Sequence, residues 1–271
     1  MTFLMNEVLR ITSKQCVATS NFAHMIQRAL LAVCLTTFVL VYSCGPDNGF
    51  TPCPKGKSPL ADTVFKYESA FYEEPKNFTV YPNSVINLSH TDQARFEVNA
   101  QANLLYRFQS FQQEDTFNLD FKSCIFKYRA LQMNLKASKI ESLTTFDSCA
   151  VYMDAGYTAN SFMLRAGTRT KATIQGNIKK LDVRSKSSDT LLVTGIHPDF
   201  ASIQRGSGSI DASTATISTA IVTNLGTGHI YLPTCDSVNI TITNEGNVYY
   251  QGEPRYLSTT ITGKGQAIKV E

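Results

Sequence analysis

In the C-terminal half of the chain, short stretches alternate apolar residues with Ser, Thr, Asn or Gln, and each runs into a glycine-bearing turn. Ala201-Ser-Ile-Gln, Ala220-Ile-Val-Thr, Val238-Asn-Ile-Thr and Leu257-Ser-Thr-Thr carry the period-2 signature of strands with one buried face. The turns read Arg205-Gly-Ser-Gly-Ser-Ile210, Leu225-Gly-Thr-Gly-His-Ile230, Asn244-Glu-Gly-Asn-Val248 and Gly263-Lys-Gly-Gln-Ala-Ile268. Gly208, Gly228, Gly246 and Gly265 are then spaced by 20, 18 and 19 residues, which is the signature of a repeat. Gly206, Gly226 and Gly263 complete the set assigned to coil corners, where glycine opens backbone conformations closed to other residues.

Weaker copies continue upstream in Leu131-Gln-Met-Asn-Leu135, Phe162-Met-Leu and Lys180-Leu-Asp-Val. Setting Val151, Ile174, Leu191, Ile210, Ile230, Val248 and Ile268 as equivalent predicts seven turns of about 20 residues. One strand–turn–strand unit cannot bury its apolar face alone, whereas stacked copies share a core and satisfy each other's backbone groups. The pattern predicts an all-β fold, a right-handed parallel β-helix over residues 62–271, with a β-sandwich as the alternative. The alternating stretches between Asp62 and Lys122 are expected to form a cap or the first coils, because solenoids need atypical ends.

The N-terminus departs from this pattern. Arg28 precedes an apolar run from Ala29 to Tyr42, which ends at Ser43-Cys44; residues 25–43 have the parts of a secretory signal and are short for a membrane span. Leu40-Val41-Tyr42-Ser43-Cys44 resembles a lipobox, although Tyr42 is larger than that motif prefers. The resemblance implies cleavage before Cys44 and lipidation of its thiol; an ordinary signal or a single-pass anchor is the alternative. Residues 44–61 are rich in Pro and Gly and are expected to act as a tether. Residues 1–24 carry no pattern of their own and fit a start codon placed too early.

Composition narrows the chemistry. The formal net charge is +3 with Lys and Arg scattered along the chain, which argues against a nucleic-acid surface. No Walker loop, Gly-x-Ser-x-Gly elbow or zinc-protease motif is present. His90, His197 and His229 lack metal-ligand neighbours at useful spacing and are expected at the surface. Asp189, Asp199, Asp211 and Asp236 fall at different phases of the repeat, and Glu73-Glu74 sits in the cap region, so no carboxylate ladder is formed. Cys53, Cys124, Cys149 and Cys235 have no readable pairing. No catalytic residue, cofactor or metal site is assigned.

Gly246-Asn-Val-Tyr-Tyr-Gln-Gly-Glu-Pro254, Gly263-Lys-Gly265 and the upstream Ala94-Arg-Phe-Glu-Val-Asn-Ala-Gln-Ala-Asn-Leu-Leu105 resemble the GIN domain, the head of auto-transporter adhesins. The resemblance covers roughly residues 62–271 and implies a β-helical fold with a cell-envelope role. Beside the resemblance, the signal and the lipobox predict an outer-membrane lipoprotein, and Tyr231, Tyr249, Tyr250 and Tyr256 are candidate surface aromatics for a glycan or envelope-protein ligand, with one of the adjacent Tyr249 and Tyr250 rings turned inward. A polysaccharide-active enzyme and an accessory of envelope signalling are the alternatives.

Overall fold

The computed structural model describes residues 64–71, 73–80, 82–101, 108–121 and 131–271. Cys44, Cys53, Cys124, the signal segment 25–43, the tether 44–61 and residues 1–24 lie outside them. The described residues form strands and no helix. The first strands are β1 (Val64–Ala70), β2 (Asn77–Val80), β3 (Ser84–Ser89), β4 (Arg95–Gln101), β5 (Phe108–Gln113), β6 (Thr116–Phe121) and β7 (Leu131–Lys136). Seven coils follow, each a pair of strands: β8 (Ser142–Thr145) with β9 (Ala150–Met153), β10 (Thr158–Ala166) with β11 (Lys171–Ile174), and β12 (Asn177–Ser185) with β13 (Leu191–Val193). The last four are β14 (Asp199–Gln204) with β15 (Ile210–Asp211), β16 (Thr219–Asn224) with β17 (Ile230–Thr234), β18 (Ser237–Ile242) with β19 (Val248–Gln251), and β20 (Tyr256–Ile261) with β21 (Ala267–Val270).

Odd-numbered strands from β9 to β21 stack parallel in one sheet, and even-numbered strands from β8 to β20 stack parallel in the other. Parallel pairing from coil to coil makes this a β-solenoid and excludes the antiparallel sandwich. The structural register runs Val151, Ala172, Leu191, Ile210, Ile230, Val248 and Ala267. Two of the expected equivalences are thereby corrected. Ile174 lies opposite Met153 and Val193, and Ile268 lies opposite Tyr249, so the coils are closer to 19 residues and more regular than the sequence alignment suggested.

The first coil is out of chain order. The pair β2–β3 lies between β6–β7 on one side and β8–β9 on the other. The link from β7 to β8 must therefore pass over the β2–β3 coil, and backbone bonds fasten it there. Ala137 N–H donates to Ser89 O at 3.0 Å, and Glu141 N–H donates to Lys76 O at 2.7 Å. The Glu74 carboxylate accepts from both the Ser138 and Lys139 backbone N–H groups, at 2.5 and 2.6 Å. Such charge-assisted bonds are among the stronger ones, which gives Glu74 a positioning task at the crossover.

Inward columns build the core. Phe162, Leu181, Phe200, Ala220 and Val238 stack in the second sheet and are all buried. Each large side chain of this kind stabilises by about 1.5–3 kcal/mol when fully buried. One strand inverts the expected alternation. In β14, Ser202 and Gln204 face the core while Ala201 and Ile203 face outward. Phe200 fixes that parity, because it sits between buried Leu181 and Ala220 and carries the larger apolar surface.

Candidate functional site

The turn glycines stack at one corner of the coils, and the physical demand on them is space. None of the seven has positive φ; that conformation belongs to Gly176, Gly195 and Gly252. A Cβ on Gly228 would stand 1.6 Å from Gly208 O, and one on Gly246 would stand 1.9 Å from Gly228 O. The expectation that these glycines serve an unusual backbone conformation is thus replaced by close approach of stacked backbones. In the third repeat turn Asn244 occupies the place of the first glycine, under Gly263, and its side chain donates to Leu225 O at 3.2 Å.

Behind this corner runs a polar column inside the core: Ser185, Gln204 and Asn224 occupy successive coils in one register, and all are buried. Asn224 accepts from Gly226 N–H at 3.1 Å and donates to Gly228 O at 2.8 Å, while the Gln204 amide donates to Gly208 O. In these three coils the side chain at the end of the strand thereby satisfies the turn that follows it, as a buried backbone requires, whereas Ile242 and Ile261 hold the same position in the last two coils. Alternation alone places these residues at the surface. The signal that could have revealed them is a polar residue two positions before Gly206 and before Gly226.

The histidines divide three ways. His90 is exposed. His229 is half-buried and accepts the Asn247 N–H on Nδ1 at 3.1 Å. His197 contradicts the expectation of a surface position, being 0 % exposed. Its Nε2 lies 2.7 Å from Thr194 O, and Nδ1 has no hydrogen-bond partner among the described residues. Burial pushes its pKa down, so the ring is held neutral. It belongs to the corner that includes Gly195, and it fills the interior.

The four tyrosines are not one surface. Tyr231 and Tyr249 stack outward with centroids 4.9 Å apart and planes 8° from parallel, and His229 packs edge-on against both. Rings stacked face to face along the coil axis cover one another's faces and offer largely their edges to a ligand. Tyr250 turns inward and packs against the core, and Tyr256 is exposed on the other sheet.

The carboxylates stay apart. Asp211 accepts from the Ser213 N–H and hydroxyl at 3.0 and 2.6 Å, holding its own turn. Asp199 lies on β14 beside Lys180, Glu74 binds the crossover link, and Glu73 is exposed. Among the described residues no three His, Cys, Asp or Glu side chains are grouped to hold a metal ion. Cys149 and Cys235 are buried, and burial pushes the Cys235 thiol up to about 11.

The outer face of the second sheet offers a different kind of site. A groove of about 490 Å³ opens there, and its lining includes Ser161, Met163, Arg165, Lys180, Asp199 and Ile221. Met163 and Ile221 belong to one straight outward column, Lys180 and Asp199 to the next, and Arg165 to a third. Toward the C-terminal coils the columns turn to hydroxyls and amides: Thr219 over Ser237, Asn239 over Ser258, and Thr223 over Thr241 over Thr260. Neighbours in a column are separated by the strand spacing of about 4.8 Å. Arg165 and Lys180 have no ion pair among the described residues, whereas Asp182 is paired with Arg184 at 2.9 Å.

Residues 75–254 match the family described as "putative auto-transporter adhesin, head GIN domain". Among solved structures, a putative adhesin from Bacteroides fragilis superposes with a TM-score of 0.70 at 15% identity, covering 78% of this chain and 99% of that one. A putative adhesin from Parabacteroides distasonis gives 0.63 at 15% identity, with 78% and 98% covered. A putative lipid binding protein from the same species gives 0.58 at 17% identity, again with 78% and 98% covered. At these identities the likeness is one of fold. No curated protein matches the chain.

Proposed function

Because the chain belongs to the GIN-domain family of putative auto-transporter adhesin heads, we propose that it is an adhesin-like binding module of the cell envelope, anchored through lipid on Cys44. It acts by binding, without catalysis, and the outer face of the second sheet is its ligand surface. The groove around Arg165 and Lys180, continuous with columns of Ser, Thr and Asn, carries this reading. Regular hydroxyl and amide groups on a rigid face suit an extended glycan, whose repeating hydroxyls can bond to several coils at once. Arg165 and Lys180 offer charged donors to an acidic sugar, and the Glu141 and Asp199 carboxylates of the same groove accept from its hydroxyls.

The test uses whole cells of a Gram-negative host expressing the native chain, Cys44→Ala, or the Arg165→Ala/Lys180→Ala pair. The proposal expects the native protein in the outer membrane, shaved from intact cells by protease and retaining cells on immobilised acidic glycans. Cys44→Ala is expected to be released soluble. The groove pair is expected at native surface levels with retention lowered by about tenfold, the loss of two charge-assisted contacts. Equal retention by the groove pair contradicts the assigned face; a membrane-bound Cys44→Ala contradicts the lipid anchor.

A further inference from the structure

We propose that the protein self-associates through β20, two copies pairing this strand antiparallel about a two-fold axis at Thr259. Among the described residues both strands of the last coil end their sheets, so each presents a row of backbone groups with no strand beside it, the common template for adding another strand. The two edges are not equivalent. In β21 the position in register with buried Leu232 is taken by Lys269, which is paired with Glu253. A charge at an inward position is a device that discourages edge pairing. In β20, Tyr256-Leu-Ser-Thr-Thr-Ile261, there is no charge, and all six residues are exposed.

The apolar residues of β20 sit where a further coil would cover them. Leu257 lies over Val238 and Ile261 over Ile242; those partners are 2% and 0% exposed, while Leu257 and Ile261 are each 45% exposed. The occupant must bring a strand with apolar residues at matching inward positions. A second copy of β20 does so. In an antiparallel pair, opposed residues share a face, so only registers that oppose residues of like parity keep inside residues inside. With the axis at Thr259, Leu257 meets Ile261 of the second copy, Thr259 meets its own equivalent, and Ser258 meets Thr260. Arg255 and Lys264 then lie opposite Gly263 and Pro254 of the second copy, and no like charges are opposed.

The experiment uses the full-length chain in detergent. Sedimentation velocity is expected to show a concentration-dependent dimer. Thr259→Lys places two ammonium groups opposite each other and is expected to weaken the dimer by about tenfold or more. Because Thr259 is exposed, its unfolding midpoint, measured with both chains diluted to monomer, is expected to stay at the native value. Thr259→Cys is expected to cross-link as a dimer under a short bis-maleimide. Tyr256→Cys is expected not to, because this register sets the two copies of residue 256 about 20 Å apart along the strands. A monomer at every concentration overturns the proposal, and so does equal cross-linking at the two positions.

Discussion

The two ends of this solenoid are finished in different ways. At the N-terminal end, β4 runs antiparallel between β1 and β7, and β5 runs antiparallel to β6. Beneath them Phe71, Phe96 and Phe117 pack with ring centroids 4.9–5.1 Å apart. Glu97 is held among Lys66, Lys136 and Asn134. Among the described residues the C-terminal coil has no such cover, and Leu257 and Ile261 stand half open. A solenoid is stabilised coil by coil through neighbours. A coil with neighbours on both sides is therefore held more strongly than one with a single neighbour, and the antiparallel cap supplies at one end what the other end lacks.

The widest gap between the ends is expected from side-chain truncation. Phe117→Ala removes a ring at the centre of the aromatic cluster and is expected to cost about 3–5 kcal/mol. Leu257→Ala, at a side chain already half in solvent, is expected to cost less than about 1 kcal/mol. Chemical denaturation of both variants checks this, and similar losses would break the contrast. Glycine substitution gives a smaller gap. Gly228→Ala drives a Cβ into the backbone of Gly208 with coils packed on both sides, and is expected to cost about 3 kcal/mol. Gly265→Ala meets Gly246 O at 2.2 Å, but the last coil can lift away, so about 1 kcal/mol is expected. Thermal unfolding of the pair measures the difference.

The smallest effect is expected from acid. Hydrogen bonds from Asn134 and, after them, from Lys136 and Lys66 hold the Glu97 carboxyl below its ordinary value of 4.5. A carboxyl with a lowered folded pKa contributes stability above its unfolded pKa and loses it as pH falls through the folded value. Glu97→Gln is therefore expected to lower the melting temperature more at pH 7 than at pH 3. An equal loss at both values would assign Glu97 to packing alone.

Much of the fold was legible because the coils repeat. The spacing of Gly208, Gly228, Gly246 and Gly265 reports that backbones stack closely at a fixed interval, and that interval is the coil. The inverted parity of β14 was not legible. Ala201-Ser-Ile-Gln reads as apolar-in and polar-out, and only the stacking of Phe200 between Leu181 and Ala220 reverses it. His197 was misplaced for a related reason: a histidine before Pro198 looks like a turn residue, and its burial is set by neighbouring coils. The insertion of β2–β3 between later coils is a long-range choice that no local pattern encodes. The groove on the second sheet was equally hidden, because Arg165, Lys180 and Ile221 become neighbours only through coil register.

Hydrogen exchange resolved by strand tests the difference between the ends most directly. Amides that break solvent contact through two neighbouring coils should open only with the whole domain, whereas those of an edge coil open locally. With the chain diluted to monomer, β2 and β3 are expected to exchange last and β20 and β21 first, despite the early position of β2 and β3 in the chain. Raising the concentration is expected to slow β20 and to leave β21 unchanged. Exchange of β2 and β3 before β20, or a terminal coil as slow as the inserted one in the monomer, would contradict the account.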